Sequence, residues 1–289
     1  IPWGPLRGWR VFMSWDISPR MWLGMDEPWI ARLVTALVVP GAVVYDLGAH
    51  VGYTTLLMAK QVGRAGKVHA FEILPSLAEG FLRRSVEGNG LSQVSIHVAG
   101  LADAPAELDL AVGPTLMVRL GPKRPQTGQL ERCTVRRLDD LRRDLSLPAP
   151  ALIKMDIEGA EVAALAGAVE TLKATRPLLI VEFHSVNLLR RGLAFLARLG
   201  YRFETARGPL TQADAEALTT FHESVLCRPS NPPSIAPSGP GPGPPTLLIH
   251  HTDSAREWAY DRKSPDKALD EAREARLDGR RHYDRLDKG

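Results

Sequence analysis

Two groups of side chains in this sequence have the types and spacing that chemistry requires. The first is the turn Asp46-x-Gly48-x-x-x-Gly52, inside VVYDLGAHVGYTT at residues 43–55. An apolar run ends in an acid, a glycine turn follows, and a second apolar run begins near Tyr53. The turn looks like the G-x-G-x-x-G loops that rest a pyrophosphate on a helix N-terminus. An aspartate at that point repels a phosphate and attracts a cation. S-adenosylmethionine meets the condition, because it carries a sulfonium and an ammonium and has no phosphate. The same acid argues against a nicotinamide dehydrogenase, the rival within this fold class. Gly48 and Gly52 let the backbone approach the methionine moiety closely. Ala49, His50 and Tyr53 complete the expected cofactor turn, His50 through its backbone more than its ring.

Two further acids follow the next apolar runs. GKVHAFE closes on Glu72, where a carboxylate accepts from both ribose hydroxyls of a nucleoside. AGLAD places Asp103 where it is expected to accept from the adenine amine. Helix caps and solvated loops are the plainer reading of such acids, but three at successive strand ends favour a site.

The second group is KMDIEGAE at residues 154–161, with VEFH at residues 181–184. Lys154, Asp156 and Glu158 alternate, so they share one side of an extended segment. Glu182 and His184 repeat that spacing on the neighbouring run. Glu161 opens the next helix, where a first-turn acid also complements the helix dipole. If the two runs face each other, they supply a general base. They equally supply oxygen and nitrogen ligands for a divalent ion, magnesium or manganese. In a methyl transfer the enzyme chiefly aligns the acceptor, and orientation supplies roughly 7–11 kcal/mol of barrier reduction. A neutral hydroxyl acceptor also needs a base, and Asp156 is the expected one, or the acid that orients the acceptor. Glu158, Glu182 and His184 are expected in support, and Lys154 is expected to pair with a neighbouring acid.

Positioning these groups requires strands that end side by side. AVVYDLG, GKVHAFE, QVSIHVAG, ALIKMDIEG and RPLLIVEFH read as strands. YTTLLMAKQVG, residues 75–86, AEVAALAGAVETL and NLLRRGLAFLARLG read as the helices between them. That alternation predicts an α/β fold, a mostly parallel sheet covered on both faces, with ligands at the carboxyl ends of its strands. YRFETA and ESVLCR are expected to close it as an antiparallel pair. Residues 1–40 read as a lead-in segment ending in a cap helix, EPWIARLVTALV, and residues 41–228 as the main domain. Trp3, Trp9, Trp15, Trp22 and Trp29 crowd the lead-in and are expected to pack over the sheet edge.

Bulk properties exclude other classes. A net charge of +3 in 289 residues gives no footprint for nucleic acid as the main partner. Basic residues between Arg119 and Arg143 are interspersed with Glu131, Asp139, Asp140 and Asp144, which reads as a solvated face. Cys133 and Cys227 form no metal spacing or disulfide framework, as expected of a reducing compartment. The longest apolar stretch is broken by Pro40 and Gly41 and is too short to span a bilayer. The expectation is a soluble, cytoplasmic protein whose natural start lies upstream of Ile1.

Six segments in order resemble the FkbM family of S-adenosylmethionine-dependent methyltransferases. They are WLGMDEP, VVYDLGAHVGYTTLLMAK, GKVHAFEILP, RRLDDL, LIKMDIEGAE and PLLIVEFH, and the resemblance covers about residues 4–228. It implies the seven-stranded, Rossmann-like class I methyltransferase fold, S-adenosylmethionine as cofactor, and O-methylation of hydroxyls on natural products or sugars. Two departures stand out. Met25-Asp26 precedes Glu27 where the family often has an aromatic, and Ser85 replaces a common Asn. The alternatives are a methyltransferase acting on RNA or protein, and a non-catalytic module that only binds the cofactor.

From Pro229 to Pro245 the composition falls to Pro, Gly, Ser and Asn, marking a linker over residues 229–245. Beyond it, PPTLLIHHTDSAREWAYDRKSPDKALDEARE resembles the C-terminal end of a haloacid-dehalogenase-like hydrolase family, without the nucleophile-bearing aspartate motif. Residues 277–289 depart from that pattern as a shifted reading frame would. Residues 246–289 are therefore expected to be a charged tail without function.

Overall fold

The structure is a computed structural model that describes residues 1–14, 19–24, 26–112, 129–221 and 223–231. The chain divides into two units, Ile1–Ser234 and Ile235–Gly289. All described residues lie in the first, so the expected linker beyond Asn231 and the expected tail fall outside them.

In chain order the elements are α1 Pro19–Trp22, α2 Pro28–Leu37, β1 Val43–Leu47, α3 Tyr53–Val62 and β2 Lys67–Glu72. Next come α4 Pro75–Leu77, a π-helical turn Ala78–Leu82, α5 Arg83–Gly88 and β3 Val94–Val98. A side layer follows with β4 Gly100–Leu101, β5 Ala106–Val112 and β6 Gln129–Arg136, then α6 Leu138–Asp144. The second half holds β7 Leu152–Met155, α7 Glu161–Ala166, α8 Val169–Thr175, β8 Leu178–Glu182 and α9 Val186–Arg198. It closes with β9 Tyr201–Thr205, β10 Gly208–Leu210, α10 Gln212–Ala217 and β11 Ser224–Pro229.

The main sheet runs β10-β9-β11-β8-β7-β1-β2-β3. β3, β2, β1, β7 and β8 are parallel, while β11, β9 and β10 join antiparallel. The expected closing pair is present as β9 and β11, with β11 inserted between β9 and β8. The sheet has one strand more than the seven expected, the short edge strand β10. β1 is central because Val44, Tyr45, Asp46 and Leu47 are all buried, as a strand covered on both faces requires. Strand order reverses between β1 and β7, so the crevice lies at their carboxyl ends.

Three expectations change in detail. The third strand stops at Val98, and Gly100–Leu101 pairs instead with β6 in a separate three-stranded sheet. Residues 129–136 are thus a strand paired with β5, rather than solvated face alone. The alanine-rich helix is two helices, interrupted where Gly167 passes Ala102. A Cβ on Gly167 would lie 2.0 Å from the Ala102 carbonyl oxygen.

Candidate active site

The turn after β1 is built by close backbone approach. Gly48 has φ +82, and a Cβ there would lie 1.8 Å from the Asp156 carbonyl oxygen. No other residue allows the β1 and β7 turns to come this near. Gly52 has φ +98 and faces Leu82, so α3 starts directly beneath the cleft. Gly48 N–H and Ala49 N–H both donate to the Phe71 carbonyl, which ties the turn to β2.

A cavity of about 410 Å³ opens over these strand ends. Gly48, Ala49, His50 and Tyr53 line it, as expected of the cofactor turn, and so does Glu72. Glu72 is buried, and its two carboxylate oxygens accept from His50 N–H at 2.8 Å and Leu74 N–H at 3.0 Å. Each oxygen keeps a second lone pair for a ligand. Burial raises the Glu72 carboxyl, against the two backbone donors. Phe71, Leu101, Leu108 and Val135 supply apolar wall at this end. Leu108 and Val135 come from the side layer and escaped the sequence reading, although alternation in AELDLAV carried the signal.

Asp46 and Asp103 are placed differently from expectation. Asp46 is fully buried and is not among the cavity-lining residues. Its Oδ2 accepts from the Thr55 hydroxyl at 2.6 Å, and its Oδ1 lies 3.6 Å from Lys154 Nζ without a hydrogen bond. Burial raises its carboxyl, opposed by Lys154 and Thr55. Asp46 therefore acts from behind the turn, as the anchor for α3 and Lys154. Asp103 is exposed and lies off the cavity wall, because the chain turns into β4 before reaching it. Of the tryptophans, Trp3, Trp9 and Trp29 do not line the cavity, while Trp15 and the Trp22 side chain lie outside the described residues.

Lys154, Asp156, Glu158, Glu182 and His184 do meet, all on one wall. Lys154 Nζ donates to the Gly48 carbonyl at 3.1 Å and to Asp156 Oδ2 at 3.5 Å. Burial alone lowers the lysine pKa, but Asp156, Asp46, Glu27 and Glu182 outweigh it and hold it above its ordinary value. His184 Nε2 lies 3.4 Å from both Asp156 Oδ1 and Glu158 Oε2. Its Nδ1 donates to Glu161 Oε1 at 2.7 Å. That bond, with Asp156 and Glu158 adding to it, pushes the imidazole up to about 9. Burial, then Asp156, raises Glu182.

Glu27 completes this wall. It caps α2 in a left-handed conformation, φ 43, with its carboxylate 3.4 Å from the Thr54 hydroxyl. Burial pushes it up to about 7, with Asp156, Glu182 and Asp26 adding to the rise and Lys154 opposing it. Ser85 is fully buried, and its hydroxyl accepts from Phe12 N–H at 2.9 Å, fixing the lead-in segment to α5.

These residues fit S-adenosylmethionine on the structure's own terms. The glycine cradle leaves no room for a Cβ, and two buried polar atoms, His50 Nε2 and the Tyr53 hydroxyl, belong to cavity-lining residues and have no hydrogen-bond partner among the described residues. A parallel sheet with this crevice defines a nucleotide-type binding fold. Residues 46–203 match the family described as Methyltransferase FkbM domain, more than half of the chain. The chain therefore belongs to the FkbM methyltransferase family and has the class I, Rossmann-like fold, with S-adenosylmethionine as its expected cofactor.

Solved structures similar to it include methyltransferase FkbM from Methylobacillus flagellatus KT, at 20% identity and a TM-score of 0.41, covering 64% of this chain. This chain spans only 43% of that one. An S-adenosylmethionine-dependent O-methyltransferase from Thermotoga maritima matches at 14% identity and a TM-score of 0.44, covering 75% of this chain and 67% of that one. Aeropyrum pernix fibrillarin with natively bound S-adenosyl-L-methionine matches at 12% identity and a TM-score of 0.45, covering 77% and 83%. No curated protein matches the chain. No helix among the described residues is long and apolar enough to cross a membrane.

Proposed function

We propose that this methyltransferase acts on a hydroxyl of a small molecule, a natural product or a sugar. The observation that carries the reading is the meeting of Asp156, Glu158, Glu182 and His184 on one wall, beside the cofactor turn. Bound S-adenosylmethionine supplies an electrophilic methyl group. The Gly48–Tyr53 turn and Glu72 hold the cofactor, with Glu72 accepting from the ribose hydroxyls. Asp103 drops out as the adenine partner, and the apolar wall of Phe71, Leu101, Leu108 and Val135 takes that end. Asp156 accepts the acceptor's hydroxyl proton, and its carboxylate is 22% exposed, open enough to meet a substrate. Lys154 and His184 hold Asp156 from two sides, which fixes the direction in which the proton leaves the acceptor.

The test separates binding from chemistry. Asp156→Asn should leave affinity for S-adenosylhomocysteine nearly unchanged in calorimetry. Methyl transfer from labelled cofactor to a panel of hydroxyl compounds should fall roughly 10²–10⁴-fold, the usual worth of acid–base help. Equal losses in both would move Asp156 into the cofactor site. Unchanged turnover would move the base elsewhere, with His184 next in line.

A further inference from the structure

We infer that the wall beside the cofactor turn is a divalent-cation site of the magnesium or manganese class, with Asp156, Glu158 and His184 as its protein ligands. The inference deepens the methyl-transfer reading and concerns the same cavity. Asp156 Oδ1, Glu158 Oε2 and His184 Nε2 converge from two strand ends, with both oxygens 3.4 Å from the nitrogen. These ligand atoms lie within 4.8 Å of one another, a span that one ion at ordinary ligand distances bridges. Two carboxylates and one imidazole are a donor set for hard to borderline cations. Water or an acceptor oxygen takes the remaining positions, since all three side chains stay 22–28% exposed.

A separate observation comes from behind the histidine. Glu161 is fully buried, accepts from Gly159 N–H at 2.8 Å, and holds His184 Nδ1 at 2.7 Å. A buried carboxylate on the far ring nitrogen is how metal-ligating histidines are oriented, leaving Nε2 to face the ion. The first turn of α7 therefore has a use for its acid beyond the helix dipole. Glu161 is a positioning residue. Tyr53, which lines the same cavity, is 3% exposed, and its hydroxyl has no hydrogen-bond partner among the described residues, as expected of a group that awaits a ligand. Charge points the same way. Among the described lining residues, the carboxylates of Asp26, Glu27, Asp156, Glu158 and Glu182 outnumber the one lysine, Lys154; a dication reduces their mutual repulsion, and its binding releases the proton that His184 Nε2 carries. An ion there would also polarise a bound hydroxyl oxygen and ease its deprotonation by Asp156 or water.

The experiment uses the full chain and needs no acceptor. Manganese binding is followed by the loss of the free-ion electron paramagnetic signal, and S-adenosylhomocysteine binding by calorimetry in the same preparations. One manganese per chain is expected, displaced by excess magnesium. His184→Ala and Glu158→Gln should each weaken it at least tenfold, and Glu161→Gln roughly 10–100-fold. Asp103→Asn should leave it unchanged. Thermal melts identify any variant that fails to fold, and the remaining ligand variants then decide. Wild type that binds no manganese, or binds it as well after His184→Ala and Glu158→Gln, overturns the site. Saturable spermidine binding without manganese binding would also overturn it, in favour of a cationic acceptor. S-adenosylhomocysteine binding that survives either failure leaves the methyltransferase reading standing; its own absence would sink that reading instead.

Discussion

Lys154 shows how little a spacing rule says about a residue's work. It is 3% exposed yet charged, surrounded by Asp46, Asp156 and the Gly48 carbonyl. Its ammonium joins the β1 turn to the β7 turn. Removing one partner of a buried ion pair strands the other, at a cost of about 3–5 kcal/mol. Lys154→Met should therefore lower the urea midpoint sharply, and Asp46→Asn alone should cost less, since burial already raises that carboxyl. The double variant should be less destabilised than the sum of the two, with a coupling of roughly 1–3 kcal/mol. Strict additivity in urea unfolding would show that the pair is not an energetic unit. The sequence made the candidate wall legible, because acids two residues apart at strand ends must emerge on one side. It left open which acids face the cavity and which face an internal partner. Asp46 turns inward to Thr55 and Lys154, and no neighbour in sequence announces that choice.

At the scale of elements, buried parallel strands were the easiest to read, because VVYDL and LLIVE are nearly unbroken apolar runs. The β5–β6 hairpin was harder. Its strands alternate, its two halves are separated by residues 113–128, and charged residues on one side disguised it as a solvated face. β10, at three residues, carries too little pattern to read. The β2–β3 edge adds a feature that no motif signals. His69 and His97 stack with ring centroids 5.3 Å apart, and His69 Nδ1 lies 3.1 Å from His97 Nε2. Burial, then His97 and Lys67, pushes His69 down to about 4, and Tyr45 packs edge-on against its ring. A histidine kept neutral in the fold costs nothing above its unfolded pKa. Below that value the unfolded chain takes up a proton that the folded chain refuses. Stability should therefore decline as pH falls from about 6.5 to about 4. Urea midpoints of wild type and His69→Gln across that range check it. The variant should have the shallower decline, and equal slopes would place the histidine's proton elsewhere.

For the whole molecule, the decisive question is where the fold ends. β11 is the last described strand, and it sits inside the sheet, hydrogen-bonded to β8 on one side and β9 on the other. Val225, Leu226 and Cys227 are fully buried, bridging both hydrophobic clusters of the domain. Ser230 N–H still reaches back to the Gly200 carbonyl at 2.8 Å. Beyond that point the sequence is rich in Pro, Gly and Ser, a composition that offers few apolar side chains to bury. Two truncations should then behave oppositely. A chain ending at Asn231 should keep its melting temperature and its S-adenosylhomocysteine affinity. A chain ending at Phe221 loses an interior strand, and with it roughly 1.5–3 kcal/mol for each large apolar side chain no longer buried. Ladder hydrogen bonds on both edges go as well, and together these losses rival the ~5–15 kcal/mol that holds a typical domain together. That shorter chain should show no cooperative melt in circular dichroism. A drop of many degrees in the longer chain would mean that residues 232–289 pack on the domain. A sharp melt in the shorter one would mean that β8 and β9 close the sheet without β11.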